Sequence, residues 1–527
     1  MQLSLNSIKN CDAWEKCGIR LPDYDIDAMK AETEKNPEWV HFGAGNIFRG
    51  FIGSINNELL NRGLAKTGII AAETFDYDVI DKIYDTYDNL TLSVVMDAKS
   101  NLEIEVLAGI AKGVKASELD SLKSVFEKPS LKMLSFTITE KGYAVTCGNG
   151  ALTQLVSEDI ANGPSMPRHA MSVTAALLYH RYLNGAYPMA VVSMDNCSHN
   201  GEKLRGSVMT IAEGWVNNSL ADKGFLTYLN EKISFPWSMI DKITPRPSDK
   251  VKAQLVEIGL EGMEPVITSK GTYIAPFVNA ETAQYLVIED SFPNGRPALE
   301  KAGVFMTTRE TVNKSETMKV TTCLNPLHTA LAVYGCLLGY TSIREEMADE
   351  DLNLLVHEIA SEGIKVVVNP GIIDPKEFAR EVIEDRLPNP NIPDMPQRIA
   401  TDTSQKVGIR YGETIKSYMK SDVLNTKDLR AVSKAIAGWL RYLLAVDDNG
   451  NAFERSADPM LAELDEKLAG IELGKPETAE GRLNGILSDA SIFGVNLYEA
   501  GIADMVEENF RAMLAGPGAV RALLKAD

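Results

Sequence analysis

The chain has 527 residues, of which 45% are hydrophobic and 24% charged, and it carries a formal net charge of −20. At about 100–200 residues per domain, that length allows about two to four globular domains with sizeable cores. A surface this acidic repels phosphate backbones and anionic membranes, which argues against nucleic-acid and membrane partners. An anionic ligand would need positive charge supplied locally by its site.

At the N-terminus, Asn6, Lys9 and Asp12 interrupt any charged-then-apolar leader. No apolar run reaches the roughly 18 residues that cross a bilayer. The nearest, residues 327–340, reads as a buried helix, so a cytoplasmic protein is expected. Cys11, Cys17, Cys147, Cys197, Cys323 and Cys336 form no CxxC pair. His41, His169, His180, His199, His328 and His357 form no HExxH. Neither a disulfide framework nor a metal site is expected.

Residues 38–43 read as a buried strand that enters a glycine turn. Residues 51–62 follow as a helix and 67–72 as a second strand, with Glu73 directly after it. Strand, glycine turn, helix, strand, acid is the βαβ order. Gly43 and Gly45 allow a sharp turn and close approach of a pyrophosphate to the helix N-terminus. Phe48 stands where the third glycine of GxGxxG would be. Glu73 is placed to bond ribose hydroxyls and to repel a 2′-phosphate, and no arginine follows within residues 74–78, which favours NAD. A plain βαβ turn with a surface glutamate remains the alternative.

Further strands are expected at 91–96, 102–108, 133–138 and 190–194, with helices at 171–183 and 208–218 among them. This alternation predicts an α/β domain with a mainly parallel sheet. Asp195-Asn196 closes the 190–194 strand, where ligand contacts gather in open α/β sheets, although such a pair is also an ordinary turn. Tyr228 and Lys232 match Tyr-x-x-x-Lys, but far from the nucleotide segment, and are read as chance. Thr139-Glu140-Lys141-Gly142-Tyr143 and the segment 235–245 carry no chemistry that can be decoded directly.

After about residue 302 the patterns become long and helical: 326–340, 349–364, 375–384, 426–444 and 458–468. A turn-rich stretch with Pro293, Asn294, Gly295 and Pro297 marks the boundary. The expected division is a Rossmann-type domain over residues 1–305 and a mostly α-helical domain over 306–527. Within the second, Lys319, Asn325 and His328 lie in one short stretch. A lysine can move a proton, an amide can hold a carbonyl oxygen and an imidazole can orient both, which suits metal-free reduction of a ketone. A polar helix end with a surface lysine is the alternative reading.

Together these segments resemble the polyol-specific long-chain dehydrogenase family. The likeness runs in order through residues 41–49, 139–143, Asp195-Asn196 with Asn200-Gly201, 235–245, Gly295-Arg296-Pro297, 319–328 and 386–390. It implies a metal-independent, NAD-dependent oxidoreductase acting on a small sugar acid or polyol, as a monomer or small homo-oligomer. By that likeness Lys319 is the acid/base, Asn196 and Asn325 hold the oxyanion, and His328 fixes substrate hydroxyls. The cofactor set extends from Gly43, Gly45 and Glu73 to Asn46, Phe48 and Arg49. Asp241 and Arg386 become substrate contacts. The segment 397–402 with Lys406 and Arg410 is similar to bacterial uronate reductases, while the glycine turn is closer to the mannitol-1-phosphate branch. The leading expectation is D-fructuronate/D-mannonate interconversion, with mannitol, mannitol-1-phosphate or tagaturonate as alternatives, and a non-catalytic nucleotide sensor as the alternative of another class. A uronate carboxylate needs a cation, for which Arg386, Arg398, Lys406 and Arg410 are candidates.

One departure stands out. Lys319 precedes Asn325 by one residue more than the family's usual spacing. In a regular helix Lys319 and His328 would then point to opposite sides. The extra residue must be absorbed by a π-bulge, or by a break with Asn325 as N-cap and Pro326 at the first helical position.

Overall fold

The structure, a computed structural model, describes residues 1–97, 99 and 101–526. Its described residues divide into two compact units, one of 1–97 with 101–313 and one of 314–526.

The first unit is built on six strands: β1 (Trp39–Phe42), β2 (Ile69–Glu73), β3 (Ile110–Lys115), β4 (Met133–Phe136), β5 (Met189–Ser193) and β6 (Ile233–Ser234). They lie in the order β3-β2-β1-β4-β5-β6, and every pairing is parallel. Such a sheet must be covered on both faces. Val40, Phe42, Ile70, Ala72, Leu134 and Phe136 point into one core, and Trp39, Ile69, Ala71, Met133 and Ala190 into the other. Helices Ala170–Leu183 and Asn200–Asn217 cover the first face. Helix Gly53–Asn61 covers the second through Ile55 and Leu59.

Two expected strands lie elsewhere. Thr91–Met96 and Leu102–Leu107 pair antiparallel, within a four-stranded sheet that also holds Ile19–Arg20 and Phe277–Glu281. The short link between them permits only an antiparallel return, since a parallel crossover needs a dozen or more residues. Strands Ser238–Asp241, Phe277–Glu281 and Tyr285–Glu289 were not expected. Buried Ser238, Asp241, Asn279 and Glu281 break their apolar pattern.

The second unit is helical. Asn325–Leu338 is apolar on nearly all sides and buried, packed against Glu350–Ile364, Pro396–Ile399 and Arg430–Leu443. Gly339 ends it in the left-handed region at φ 80°. The side chain of Asp349 caps Glu350–Ile364, accepting from the Asp351 and Leu352 amides. The buried carboxylate of Glu362 accepts from the Ala431 and Val432 amides at 2.7 and 2.9 Å, and so caps Arg430–Leu443 from a distant helix. The expected helix over 375–384 is instead Pro375–Glu381 followed by a π turn, Val382–Arg386. Among the described residues, no helix is long and apolar enough to cross a membrane.

Glu346 is fully buried on the short helix Ile343–Met347, and neither carboxyl oxygen has a hydrogen-bond partner among the described residues. It fits because residue 335 is glycine: a Cβ there would stand 1.8 Å from Glu346 Oε1. Burial, reinforced by nearby Asp394, pushes its pKa from 4.5 up to about 9. The folded chain therefore holds a proton that the unfolded chain releases, and this contribution is lost as pH rises through that window. Thermal melts at pH 6 and pH 9 should show Glu346→Gln gaining stability relative to the parent chain as pH rises. A pH-independent difference would contradict the burial argument.

Candidate active site

The glycine turn follows β1. Gly43 adopts φ 101° and donates its N–H to the Ala72 carbonyl at 2.9 Å. A Cβ at this position would lie 2.1 Å from the Thr137 carbonyl oxygen, so only glycine fits. At Gly45 a Cβ would meet nothing within 4 Å. Its open side is where a ligand can approach the backbone as the helix begins at Asn46. Phe48–Ile52 is a π turn. Phe48 is buried and stacks on His41 with ring centroids 4.1 Å apart. His41 sits between the hydroxyls of Ser135 and Thr137 at 2.6 and 2.8 Å. Burial holds its pKa well below 6.5, so the ring is neutral at pH 7.

Arg49 is fully buried and donates to the Ala275 carbonyl and to Asn46 Oδ1, both at 2.9 Å. Desolvation lowers its pKa to about 10. The side chains of Phe48 and Arg49 are buried against the turn and brace it, while Asn46, held by Arg49, is partly exposed.

Glu73 ends β2. Its Oε2 accepts the Ala44 N–H at 2.9 Å. Its Oε1 accepts the amides of Thr74, Phe75 and Asp76 at 3.0, 2.9 and 3.2 Å. A carboxylate offers about four lone-pair sites, so Oε1 is saturated and Oε2 keeps capacity for one more donor, such as a ribose hydroxyl. Glycine turn, open Gly45, helix start and acid all suit a dinucleotide.

At the carboxyl edge of β4 and β5, Asp195 accepts the Thr139 and Ile138 amides at 2.9 Å each and the Tyr143 hydroxyl at 2.6 Å. Burial raises the pKa of both Asp195 and Tyr143. Thr139 lies at φ 67° and ψ 161°, which a β-branched residue rarely adopts. The undecoded 139–143 segment is thus a strained loop locked by Asp195. Asn196 follows, exposed. Asn200 Nδ2 donates to the Asp195 and Ser238 carbonyls, both at 3.0 Å. That pins the Asp195-Asn196 turn to strand Ser238–Asp241, whose last residue, Asp241, is buried. The structure therefore gathers Thr139, Asp195 and the Ser238–Asp241 strand around the Asn196 turn. Sequence patterns missed Asp195 as the hub because its bonds span distant segments.

In the second unit Lys319 is buried and opens a π turn, Lys319–Cys323. The Leu324 N–H closes it on the Lys319 carbonyl at 3.1 Å. Leu324 itself leaves helical geometry, at φ −132° and ψ −62°. Both expected devices are present, bulge and break, but the break falls one residue early. Leu324 takes the cap position and Asn325 opens the helix. Pro326 is tolerated there because first-turn amides have no intrahelical acceptor.

His328 Nε2 lies 3.0 Å from Asp394 Oδ2 without the alignment of a hydrogen bond. The other Asp394 oxygen accepts from Arg398 at 2.5 and 3.0 Å. Burial would raise the Asp394 carboxyl, but His328 and Arg398 outweigh it and hold the pKa below 3.8. Arg410 lies on another π turn, Gly408–Gly412. It donates to the Thr329 hydroxyl, and its buried Nε has no partner among the described residues. Lys406 donates to the Thr401 carbonyl, and burial together with repulsion from Arg410 and Arg398 lowers its pKa. Lys406 therefore lies near both Arg410 and Arg398. Arg386, buried, ends the π turn Val382–Arg386. Asp394 was missed, because a single aspartate far along the chain from His328 carries no spacing signal.

The strand order and glycine turn define a Rossmann-type dinucleotide-binding fold in the first unit. The chain belongs to the mannitol dehydrogenase family: residues 37–301 match the model of its Rossmann domain and residues 311–514 that of its C-terminal domain. A D-mannonate oxidoreductase of Thermotoga maritima is 51% identical, with 100% of this chain and 98% of that protein covered. A D-mannonate oxidoreductase of Escherichia coli is 26% identical over 89% of this chain and 92% of that protein. Among solved structures, the Pseudomonas fluorescens mannitol 2-dehydrogenase, a ternary complex with NAD and D-mannitol, shares the fold. Its TM-score is 0.71 at 24% identity, covering 100% of this chain and 99% of that one.

The two glycines make different demands. Gly43→Ala should cost about 2–5 kcal/mol of stability, from positive φ plus overpacking on Thr137. Gly45→Ala should leave stability unchanged within about 0.5 kcal/mol. Denaturant melts of both variants check this, and equal losses would contradict the turn geometry.

Proposed function

We propose that the protein is an NAD-dependent oxidoreductase interconverting D-fructuronate and D-mannonate. The observation that carries the substrate class is the grouping of Arg398, Lys406 and Arg410 beside the His328 segment in a chain of net charge −20. A neutral polyol has no use for it, whereas a carboxylate does. The full-length relative named D-mannonate oxidoreductase supports the same reading. NAD is supported by the family's Rossmann domain and by Glu73, whose charge disfavours a 2′-phosphate.

The cofactor, when bound, donates or accepts the hydride. In reduction Lys319 gives its ammonium proton to the carbonyl oxygen, and in oxidation the neutral amine takes it back. The amides of Asn325 and Asn196 donate to the oxygen as negative charge develops. His328 holds a substrate hydroxyl and is itself oriented by Asp394. Arg410, with an unpartnered Nε, is the best placed of the cations to take the carboxylate. Asp241 and Arg386 complete the proposed substrate contacts, and Gly43, Gly45, Asn46 and Glu73 the cofactor contacts.

A panel of fructuronate, tagaturonate, fructose and fructose 6-phosphate tests the assignment. Fructuronate should give the highest kcat/KM with NADH, and failure of both uronates would overturn the substrate. Lys319→Ala should lower turnover by about 10²–10⁴-fold with NADH binding intact; unchanged turnover would refute its role. Arg410→Gln should raise KM for fructuronate by about 10- to 100-fold, the worth of a charge-assisted bond, and unaltered KM would remove it from the site.

A further inference from the structure

Helix Asn325–Leu338 carries His328 and, seven residues on, Gly335. That separation is close to two turns, so both lie on one side of the helix. The 394–397 segment runs along this side. Asp394 Oδ2 stands 3.0 Å from His328 Nε2, and a Cβ at residue 335 would meet Pro396 Cβ at 3.1 Å. Two hydrogen bonds anchor the segment. The Ile343 amide donates to the Asp394 carbonyl at 3.0 Å, and Gln397 Nε2 donates to the Tyr340 carbonyl at 3.1 Å. Between these anchors three acceptors lack donors. Both Glu346 oxygens and Gln397 Oε1 are buried and have no partner among the described residues. Glu346 Oε1 fills the space over Gly335 that Pro396, the neighbour of Gln397, borders. Buried polar atoms are nearly always paired. A carboxylate and an amide oxygen cannot satisfy each other, since both only accept. A protonated carboxyl brings the missing donor.

We propose that Glu346 is a positioning residue: its protonated carboxyl donates to Gln397 Oε1, and this latch holds the 394–397 segment so that Asp394 faces His328. The proposal rests on the substrate-binding role given to His328 above. Glu346 acts only through Gln397 and Asp394. The groups around it keep its proton in place. Asp394 on the segment, Glu345 on its own helix and Asp349 at the cap of Glu350–Ile364 all disfavour a further negative charge. Cys336, on helix Asn325–Leu338, is a thiol that burial pushes up to about 12. The cations and the phenol nearby are engaged elsewhere. Arg398 bonds Asp394, Arg521 and the Tyr340 hydroxyl bond Asp349, and Arg344 is exposed. Loss of the Glu346 proton, at about pH 9, removes the donor and sets a second carboxylate near Asp394. The segment is then released, and with it the hold of Asp394 on His328. Below that pH the latch is closed.

Steady-state reduction of fructuronate between pH 7 and pH 10 tests this. The parent chain is compared with Glu346→Gln, which keeps a donor for Gln397 but cannot ionise. As pH passes 9, the parent KM should rise about 2- to 10-fold relative to that of Glu346→Gln, the worth of one hydrogen bond. The ratio of their kcat values should stay constant, because the lost contact serves binding alone. Glu346→Leu and Gln397→Met each remove one partner of the latch. Each should raise KM at pH 7 by a similar factor, and the double variant by no more than either alone. Parallel KM profiles for the parent and Glu346→Gln, or additive losses in the double variant, would overturn the latch. A parent chain inactive on fructuronate at every pH would instead fail the substrate reading, and the same comparison is then made on whichever ketose of the panel is reduced.

Discussion

The hydrogen bond from the Leu324 amide to the Lys319 carbonyl spans one residue more than an α-helical bond, and the register between Lys319 and Asn325 depends on that extra residue. It lets the chain carry an additional residue between lysine and asparagine while Leu324 breaks the helix and Asn325 restarts it. The same device recurs under other cations. Arg49, Arg386 and Arg410 each lie on a π turn, as Lys319 does. A π turn widens the helix and frees backbone groups. The cost is tolerable where long polar side chains and buried bonds fix the result.

In the first unit the organising groups are two carboxylates. Glu73 collects four backbone amides and ties the glycine turn to the loop after β2. Asp195 collects two amides and a phenol and holds Thr139 in a strained conformation. Each spends most of its acceptor capacity on its own chain, which keeps a carboxylate in place with little freedom. In the second unit Asp394 accepts two bonds from Arg398 and lies 3.0 Å from His328 Nε2.

Much of this was legible in the residues. Strands β1, β2, β4 and β5 are nearly continuous apolar runs, the mark of a sheet covered on both faces, and the Gly43 turn followed from its place after β1. The extra residue before Asn325 predicted an irregular helix at the position where one occurs. Other parts were hidden for physical reasons. Phe277–Glu281 buries Asn279 and Glu281, so its polarity argued against a strand. Phe48 and Arg49 matched a motif, but the burial of their side chains is a tertiary outcome with no local mark. The role of Asp394 depends on a tertiary meeting with His328 that no local spacing records.

In the mechanism proposed above, the π turn absorbs one residue and keeps Lys319 in register with Asn325 and His328. Val320 is the one residue of that turn that is not buried, so its deletion disturbs packing least. Steady-state reduction of fructuronate by the Val320-deleted chain tests the claim. The account predicts a folded protein that binds NADH and turns over well above Lys319→Ala, because a regular helix then restores the shorter spacing. A folded, NADH-binding deletion variant as inactive as Lys319→Ala would contradict it.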